Sequence, residues 1–301
     1  MASVDIVVVS FNSRAHLRDC IAPLAALPDV HAIVVDNASS DDSLDVIADL
    51  PVTAIPRSGN GGFAAGCNDG WRAGDAPYVL FLNPDATLDE QSLRTLVARL
   101  TENDRLGAIA PRIERPDGSL AWSQRRFPRL RSTYARALFL HRLFPQAAWF
   151  DELIRDRSAY AAPGSPDWVS GACVLVRRSA LEEIGGWDDG FFLYAEDNDL
   201  CRRLRNCGYE LRYDPSAVAR HREGASSGYE TLPVLAASRI RYAYKHRGRI
   251  AATLERLGVG LEAVTHVILA RGGLASRAGH VKALRAVLSR SARQPPSARP
   301  T

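Results

Sequence analysis

No window of this 301-residue chain holds the roughly eighteen uninterrupted apolar residues that a membrane-spanning helix needs, so none is expected. The opening M-A-S-V-D-I-V-V-V-S lacks the basic region and long apolar core of a secretory leader. Cysteine is scarce: Cys20, Cys67, Cys173, Cys201 and Cys207 are odd in number and scattered. Cys201 and Cys207 are spaced like neither a zinc knuckle nor a redox pair, so reduced thiols in the cytoplasm are expected. No G-x-G-x-x-G follows the first apolar run, which argues against a dinucleotide cofactor. No phosphate-binding P-loop is present, which disfavours triphosphate hydrolysis. There is no internal repeat. Acids are missing from one stretch and scarce in another. Between Trp122 and Phe150 lie Arg125, Arg126, Arg129, Arg131, Arg136 and Arg142, with no carboxylate before Asp151. From residue 236 onward thirteen Lys/Arg face only Glu255 and Glu262, a net +11 that leaves −7 for residues 1–235 of the overall +4. On charge alone such a basic arm fits nucleic acid or anionic lipid. No helix-turn-helix, zinc-finger or RNA-binding signature supports the former.

What is present alternates. Val4–Val9 is a β-branched apolar run of the kind buried on both faces of a parallel sheet. Further strands are expected at Ala32–Val35, Val52–Ile55, Tyr78–Leu82, Ala172–Val176, Tyr209–Tyr213 and Ala217–His221. Helices are expected through Leu17–Leu24, through Leu44, Ile47 and Ala48, over Phe63–Trp71 and over Leu88–Leu100. Strands spaced by helices predict right-handed βαβ units and an α/β, doubly wound, mostly parallel, Rossmann-like sheet. Within the basic segment Leu130, Tyr134, Leu138 and Phe139 form a candidate apolar helix stripe. Helices over Leu232–Tyr244 and near 250–270 and 278–290 make a C-terminal helical extension. The expected organisation is a domain over 1–235, with a nucleotide-binding half at 1–105 and an acceptor half at 106–235. A basic helical extension follows over 236–290, then a disordered tail over 291–301.

Ligands of open parallel sheets bind beyond the carboxyl ends of the strands. Three polar clusters fall there: Ser10-Phe11-Asn12, Asp36-Asn37-Ala38-Ser39 and Asn83-Pro84-Asp85. Each alone is an ordinary turn or cap; three at successive strand ends outline a nucleotide site. The glycines of Gly59-Asn60-Gly61-Gly62 permit close approach to a ligand. Asp85 offers a hard carboxylate for a divalent ion bridging phosphates. His221 follows a strand and is by itself more often structural than a ligand. In G-W-D-D-G-F-F-L-Y-A-E-D-N-D-L-C-R-R-L-R-N-C-G, the acids Glu196, Asp197 and Asp199 open a helix whose Leu200 and Leu204 face a core. Acids suit a helix start, yet three within four positions beside Phe191, Phe192 and Tyr194 also suit a general base tuned by apolar walls.

Together these residues resemble glycosyltransferase family 2, whose members have the GT-A fold. The likeness runs from Val4 to about Ser227. It rests on V-V-V-S-F-N, V-D-N-A-S-S-D-D-S, G-N-G-G-F-A-A-G-C-N-D-G, L-N-P-D-A, W-V-S-G-A-C-V-L-V-R-R, E-D-N-D-L-C-R-R-L and H-R-E-G-A-S-S. It is nearest to bacterial rhamnosyltransferase-type members that build cell-envelope polysaccharide. The resemblance implies inverting transfer of a sugar, L-rhamnose from dTDP-rhamnose favoured, to a glycan or polyprenyl-diphosphate-linked acceptor. It implies donor contacts from Ser10, Asn12, Asp36, Asn37, Asn60, Gly62, Asn68 and Asn83. Asp85 and His221 would hold Mg²⁺ or Mn²⁺. Asp197 would be the general base with Glu196 beside it, and Trp168, Gly171, Trp187 and Asp199 would shape the acceptor side. Asn83 stands where the metal motif usually begins with Asp. A cytoplasmic enzyme at the inner membrane face, in peripheral contact with anionic lipid and not with nucleic acid, is the expected setting. A non-catalytic sugar-nucleotide or glycan-binding module and a nucleotidyltransferase are the competing readings.

Overall fold

The computed structural model describes residues 3–144, 147, 150–222, 229–269 and 273–289. The expected tail over 291–301 and the H-R-E-G-A-S-S motif from Glu223 to Ser227 lie outside the described residues. In chain order come β1 (Val4–Ser10), α1 (Arg14–Ala25), β2 (Val30–Asp36), a 3-10 turn (Asp45–Ile47), β3 (Val52–Pro56), α2 (Phe63–Arg72), β4 (Tyr78–Leu82), β5 (Ala86–Leu88), α3 (Glu90–Thr101), β6 (Leu106–Glu114) and β7 (Gln124–Arg125). Next are α4 (Leu130–Ala137), α5 (Leu140–Leu143), a 3-10 turn (Arg157–Tyr160), β8 (Trp168–Val169), β9 (Cys173–Arg177), α6 (Arg178–Glu183), α7 (Glu196–Asn206) and β10 (Glu210–His221). After a 3-10 turn (Tyr229–Thr231), α8 (Leu232–His246), α9 (Gly248–Leu269) and α10 (Gly273–Leu288) follow.

Contacts group the chain into two compact units. One holds Met1–Arg125, Asp156–Asp189 and Asp197–Glu223; the other holds Arg126–Arg155, Gly190–Glu196 and Gly224–Thr301. The first is built on an eight-stranded sheet ordered β3-β2-β1-β4-β9-β6-β10-β5. β1 pairs in parallel with β2 and β4, β2 with β3, and β6 with β10. β9 runs antiparallel to both β4 and β6, and β5 antiparallel to β10. The sheet is therefore mostly parallel, as expected, and the reversed β9 joins its two parallel sets. β1 is buried at every position because helices cover both faces, which is why it reads as a continuous apolar run. Leu17, Ile21 and Leu24 of α1 pack against Ile6, Val8, Leu80 and Leu82 in the main core. On the other face α2 lies so close that a Cβ on Gly70 would collide with Val7.

Four local expectations need correction. The helix expected through Leu44, Ile47 and Ala48 is one 3-10 turn; Ile47 is buried, whereas Ala48 is exposed. Leu88 belongs to β5, and α3 starts at Glu90 because Asp89 caps it, accepting the Ser92 N–H at 2.7 Å. The two strands expected over 209–221 are one, β10, with an irregular register between Asp214 and Val218. The apolar stripe expected in the basic segment does not form. In α4 the buried residues are Ser132, Thr133, Ala135 and Ala137, and Leu138 is exposed.

The second unit is helical. α8, α9 and α10 share a small core of Ala236, Ile240, Val259, Ala283 and Val287. Beside it is an ionic cluster. Arg239 donates to Glu262 at 2.7 Å and to Glu255 at 3.1 Å, Arg247 reaches Glu255 at 3.1 Å, and Thr133 of α4 donates to Glu255 at 2.7 Å. Both acids of the C-terminal region are thus committed internally. The basic residues of α10 face no acid on their own helix.

Candidate active site

Parallel pairing brings the carboxyl ends of β1 and β2 side by side, with Ser10 opposite Asp36. The Asn37 N–H bonds the Ser10 carbonyl at 2.8 Å. Ser10 is fully buried, and its hydroxyl has no hydrogen-bond partner among the described residues. The Asp36 carboxylate accepts from the N–H of Ser39 at 2.9 Å and from its hydroxyl. Asn12, in the left-handed region at φ 52°, accepts the Ser40 N–H at 2.8 Å. Asn37 donates to the Gly62 carbonyl at 3.1 Å and accepts from Arg57 at 2.9 Å, and Asn60 accepts the Gly62 N–H at 2.9 Å. Gly62 has φ 89°, a conformation that favours glycine. One network therefore joins Ser10, Asn12, Asp36, Asn37, Asn60 and Gly62.

Beyond β4, the Asn83 amide lies 3.3 Å from His221 Nε2, and the same nitrogen lies 3.0 Å from Asp85 Oδ1. The His follows because β10 pairs with β5, setting His221 opposite Ala86. A cavity of about 240 Å³ opens here, lined also by His16, Asp19, Arg220 and Arg222. Among the described residues no third His, Cys, Asp or Glu joins this pair as a ready metal cage. The Cys20 thiol donates to the Asn83 carbonyl at 3.3 Å, and burial pushes it well above the ordinary thiol range. It is a wall, not a nucleophile.

The third group sits on the neighbouring strand. Antiparallel pairing sets Leu82 opposite Cys173, and the Asn83 N–H bonds the Ala172 carbonyl at 2.9 Å. One residue earlier, the Gly171 N–H reaches Asp197 Oδ2 at 3.3 Å. Asp85 and Asp197, 112 positions apart in the chain, thus flank one pair of strand ends. Asp197 lies in the first turn of α7, where its other oxygen accepts the Asn198 N–H at 2.8 Å. The chain enters this helix through two consecutive left-handed residues, Tyr194 (φ 69°) and Ala195 (φ 65°). Such conformations cost about 1–3 kcal/mol each and gather at functional sites. Burial pushes the Asp197 carboxyl upward. The Asn198 N–H, the Arg125 guanidinium and the Gly171 N–H pull against it.

In the sequence Arg125 is one of a basic series. The β7–β8 pairing sets it opposite Trp168, and its guanidinium lies 5.1 Å from that ring centre. Its Nε is buried with no hydrogen-bond partner among the described residues. No local signal marks it, since the pairing spans more than forty residues.

Other expected site residues occupy different places. Asn68 is buried. Its amide donates to the Trp187 carbonyl at 2.8 Å and accepts from the Trp187 N–H at 2.9 Å and the Trp71 indole at 3.0 Å. Trp187 meets Phe63 and Phe81 edge-on at 5.5 and 5.0 Å, making a buried floor beneath Gly171. Asp199 is fully buried and accepts from Arg203 at 2.7 Å, which in turn donates to the carbonyls of Ile184 and Gly186. Two residues along a helix point to different sides, so Asp199 does not join Asp197. Glu196 is buried at 6% exposure. Phe191 is fully buried beneath Arg241 and Lys245, and Phe192 is exposed.

The profile described as "Glycosyl transferase family 2" matches residues 5–185. The N-acetylglucosaminyl-diphospho-decaprenol L-rhamnosyltransferase of Mycobacterium tuberculosis is 32% identical over 247 residues, covering 77% of this chain and 80% of that protein. The rhamnosyltransferase WbbL of Escherichia coli K12 is 29% identical over 156 residues, 50% of this chain and 54% of the relative. In structure, the mannosyltransferase PcManGT of Pyrobaculum calidifontis, solved with GDP-Man and Mn²⁺, aligns with a TM-score of 0.55 at 15% identity, covering 96% of this chain and 81% of that one. At that identity the likeness speaks for the fold alone.

Proposed function

The chain belongs to glycosyl transferase family 2, and from that membership we propose that it transfers L-rhamnose from a nucleoside-diphosphate donor, dTDP-rhamnose favoured, to a polyprenyl-diphosphate-linked glycan in cell-envelope synthesis. The reaction is inverting. The observation that carries this reading is the placement of Asp85 and Asp197 at adjoining strand ends. Asp197, deprotonated, takes the proton of the acceptor hydroxyl. That oxygen bonds to the anomeric carbon on the face opposite the diphosphate. The bond from that carbon to the diphosphate oxygen breaks, and the nucleoside diphosphate leaves with the electron pair.

The network of Ser10, Asn12, Asp36, Asn37, Asn60 and Gly62 is the donor cradle in this proposal. Ser10's hydroxyl, without a partner among the described residues, and the positive φ at Gly62 both suit a ligand close to the backbone. Asn68 and Asp199 act by holding Trp187 and Arg203 rather than by touching sugars. A divalent ion, Mg²⁺ or Mn²⁺, fits Asp85 and His221. One carboxylate and one imidazole leave most of the coordination sphere to phosphate and water, as such ions prefer. When bound it would offset charge on the leaving diphosphate. Arg125 opposes the burial of Asp197, keeping its carboxylate available as base. A lipid-linked acceptor implies work at the inner face of the membrane.

A positioned base contributes about 10²–10⁴-fold. Asp197→Asn is expected to lose turnover on that scale, while calorimetric titration with dTDP-rhamnose gives an unchanged Kd. Turnover within a few fold of wild type would remove Asp197 from the mechanism.

A further inference from the structure

α9 is turned inside out for a helix in water. Its buried side carries Ala252, Glu255, Gly258, Val259 and Ala263, mostly small and including a carboxylate. Its large aliphatic residues point away from the unit. Ile250 is 82% exposed, Leu257 61% and Ile268 66%, and Leu254, Leu261 and Val264 fall in line with them. The spacing is alternately four and three residues, so these six form one stripe along five turns. From Leu254 to Leu269 no charged side chain is exposed on the helix. A continuous exposed apolar face of this length marks an interaction surface. The next helix adds Leu274 (85%) and Leu288 (70%), interleaved with exposed Arg277, Lys282 and Arg285.

We propose that this α9–α10 face lies on an anionic lipid surface, with the α9 stripe seated in the acyl boundary and the α10 cations against phosphate headgroups. Charge selects this partner over a second copy of the chain. Glu255 and Glu262 are the acids of these helices, and both are bonded to Arg239 and neighbouring groups. Two copies meeting through this face would bring like cations together, whereas a phosphate surface neutralises them. The helix lies on the bilayer instead of crossing it: among the described residues no helix is long and apolar enough to span. The inference deepens the reading of a lipid-linked acceptor and rests on it for the choice of partner.

Flotation of the full chain with phosphatidylglycerol–phosphatidylcholine vesicles and with pure phosphatidylcholine tests it, with light scattering in parallel. Wild type is expected to float with the anionic vesicles and to be released by 0.5 M salt. Leu257→Glu with Ile268→Glu is expected to stay with the soluble fraction. Arg277→Gln and Lys282→Gln should each weaken partitioning about fivefold. All four positions are exposed and outside the transfer site, so turnover on a water-soluble short-chain acceptor should hold in every variant. Equal flotation of wild type and the double Glu variant, or a wild-type dimer that this variant dissolves without any vesicle binding, overturns the proposal. Flotation without any sugar transfer would leave the surface assigned and defeat the transferase reading instead.

Discussion

At the scale of single residues, Arg125 works against the burial of Asp197. Burial raises the Asp197 carboxyl and the nearby guanidinium lowers it. In the proposed role of base Asp197 must be deprotonated, so activity is expected to fall as pH falls through its pKa. Removing Arg125 takes away a lowering influence, so that pKa rises. For Arg125→Ala the acid limb of the kcat/KM–pH profile should therefore move to higher pH. Arg125→Lys, which keeps the charge and loses the planar stack on Trp168, should move it less. An acid limb unmoved in both variants would show that Arg125 does not tune the base. Asp85→Ala should raise the Mn²⁺ concentration needed for half-maximal activity at least about tenfold, since even outer-sphere partners cost that much. Titration of Mn²⁺ at fixed donor reads it directly.

Secondary-structure elements are aimed by residues that look like donor or acceptor contacts in a linear reading. Asn68 on α2 grips both backbone groups of Trp187 and so fixes the segment leading away from α6. Asn68→Ala would leave the Trp187 N–H and carbonyl and the Trp71 indole without their partner. Each such buried group costs about 1–3 kcal/mol. Urea unfolding should therefore show a loss of at least ~2 kcal/mol. A loss under half of that would mean the segment finds other partners. Asn in a Gly/Asn-rich stretch reads as a ligand from sequence, because the chain gives no sign that residue 187 lies beside residue 68. Asp199 is a parallel case: it begins a helix among acids, yet its partner Arg203 ties α7 to the carbonyls of Ile184 and Gly186. By contrast, β1, α2 and α7 were legible because their periodicities are local.

Across the whole first unit, the amino ends of the strands are closed by a buried ion pair. Arg178 bonds Asp5 and the carbonyls of Trp71 and Ala76. Asp5 also accepts the Ala76 N–H at 2.9 Å and lies 3.2 Å from His31. Removing one member of such a pair strands the other, so Arg178→Met should cost about 3–5 kcal/mol. Denaturant midpoints at constant m would measure it, and a near-neutral result would mean that water or His31 compensates Asp5. The second unit shows how distant segments assemble. Thr133 and Arg136 of the basic segment meet Glu255 and Glu262 of α9, more than a hundred residues later. The arginines that look like one uniform basic arm thus divide into internal ion pairs and an outward set on α10.

By itself the sequence determined the alternation of strands and helices, the polar clusters after β1, β2 and β4, the acidic start of α7 and the family. Each of these is written in neighbouring residues, through period, capping chemistry or a short motif. Only the tertiary structure decided that β9 runs backwards between two parallel sets, bringing Gly171 and Asp197 to the end of β4. It alone set Arg125 over Trp168, withdrew Asn68 and Asp199 into supporting bonds, and turned the large side chains of α9 outward. Those outcomes depend on pairings between residues tens to hundreds of positions apart, which local propensity does not encode.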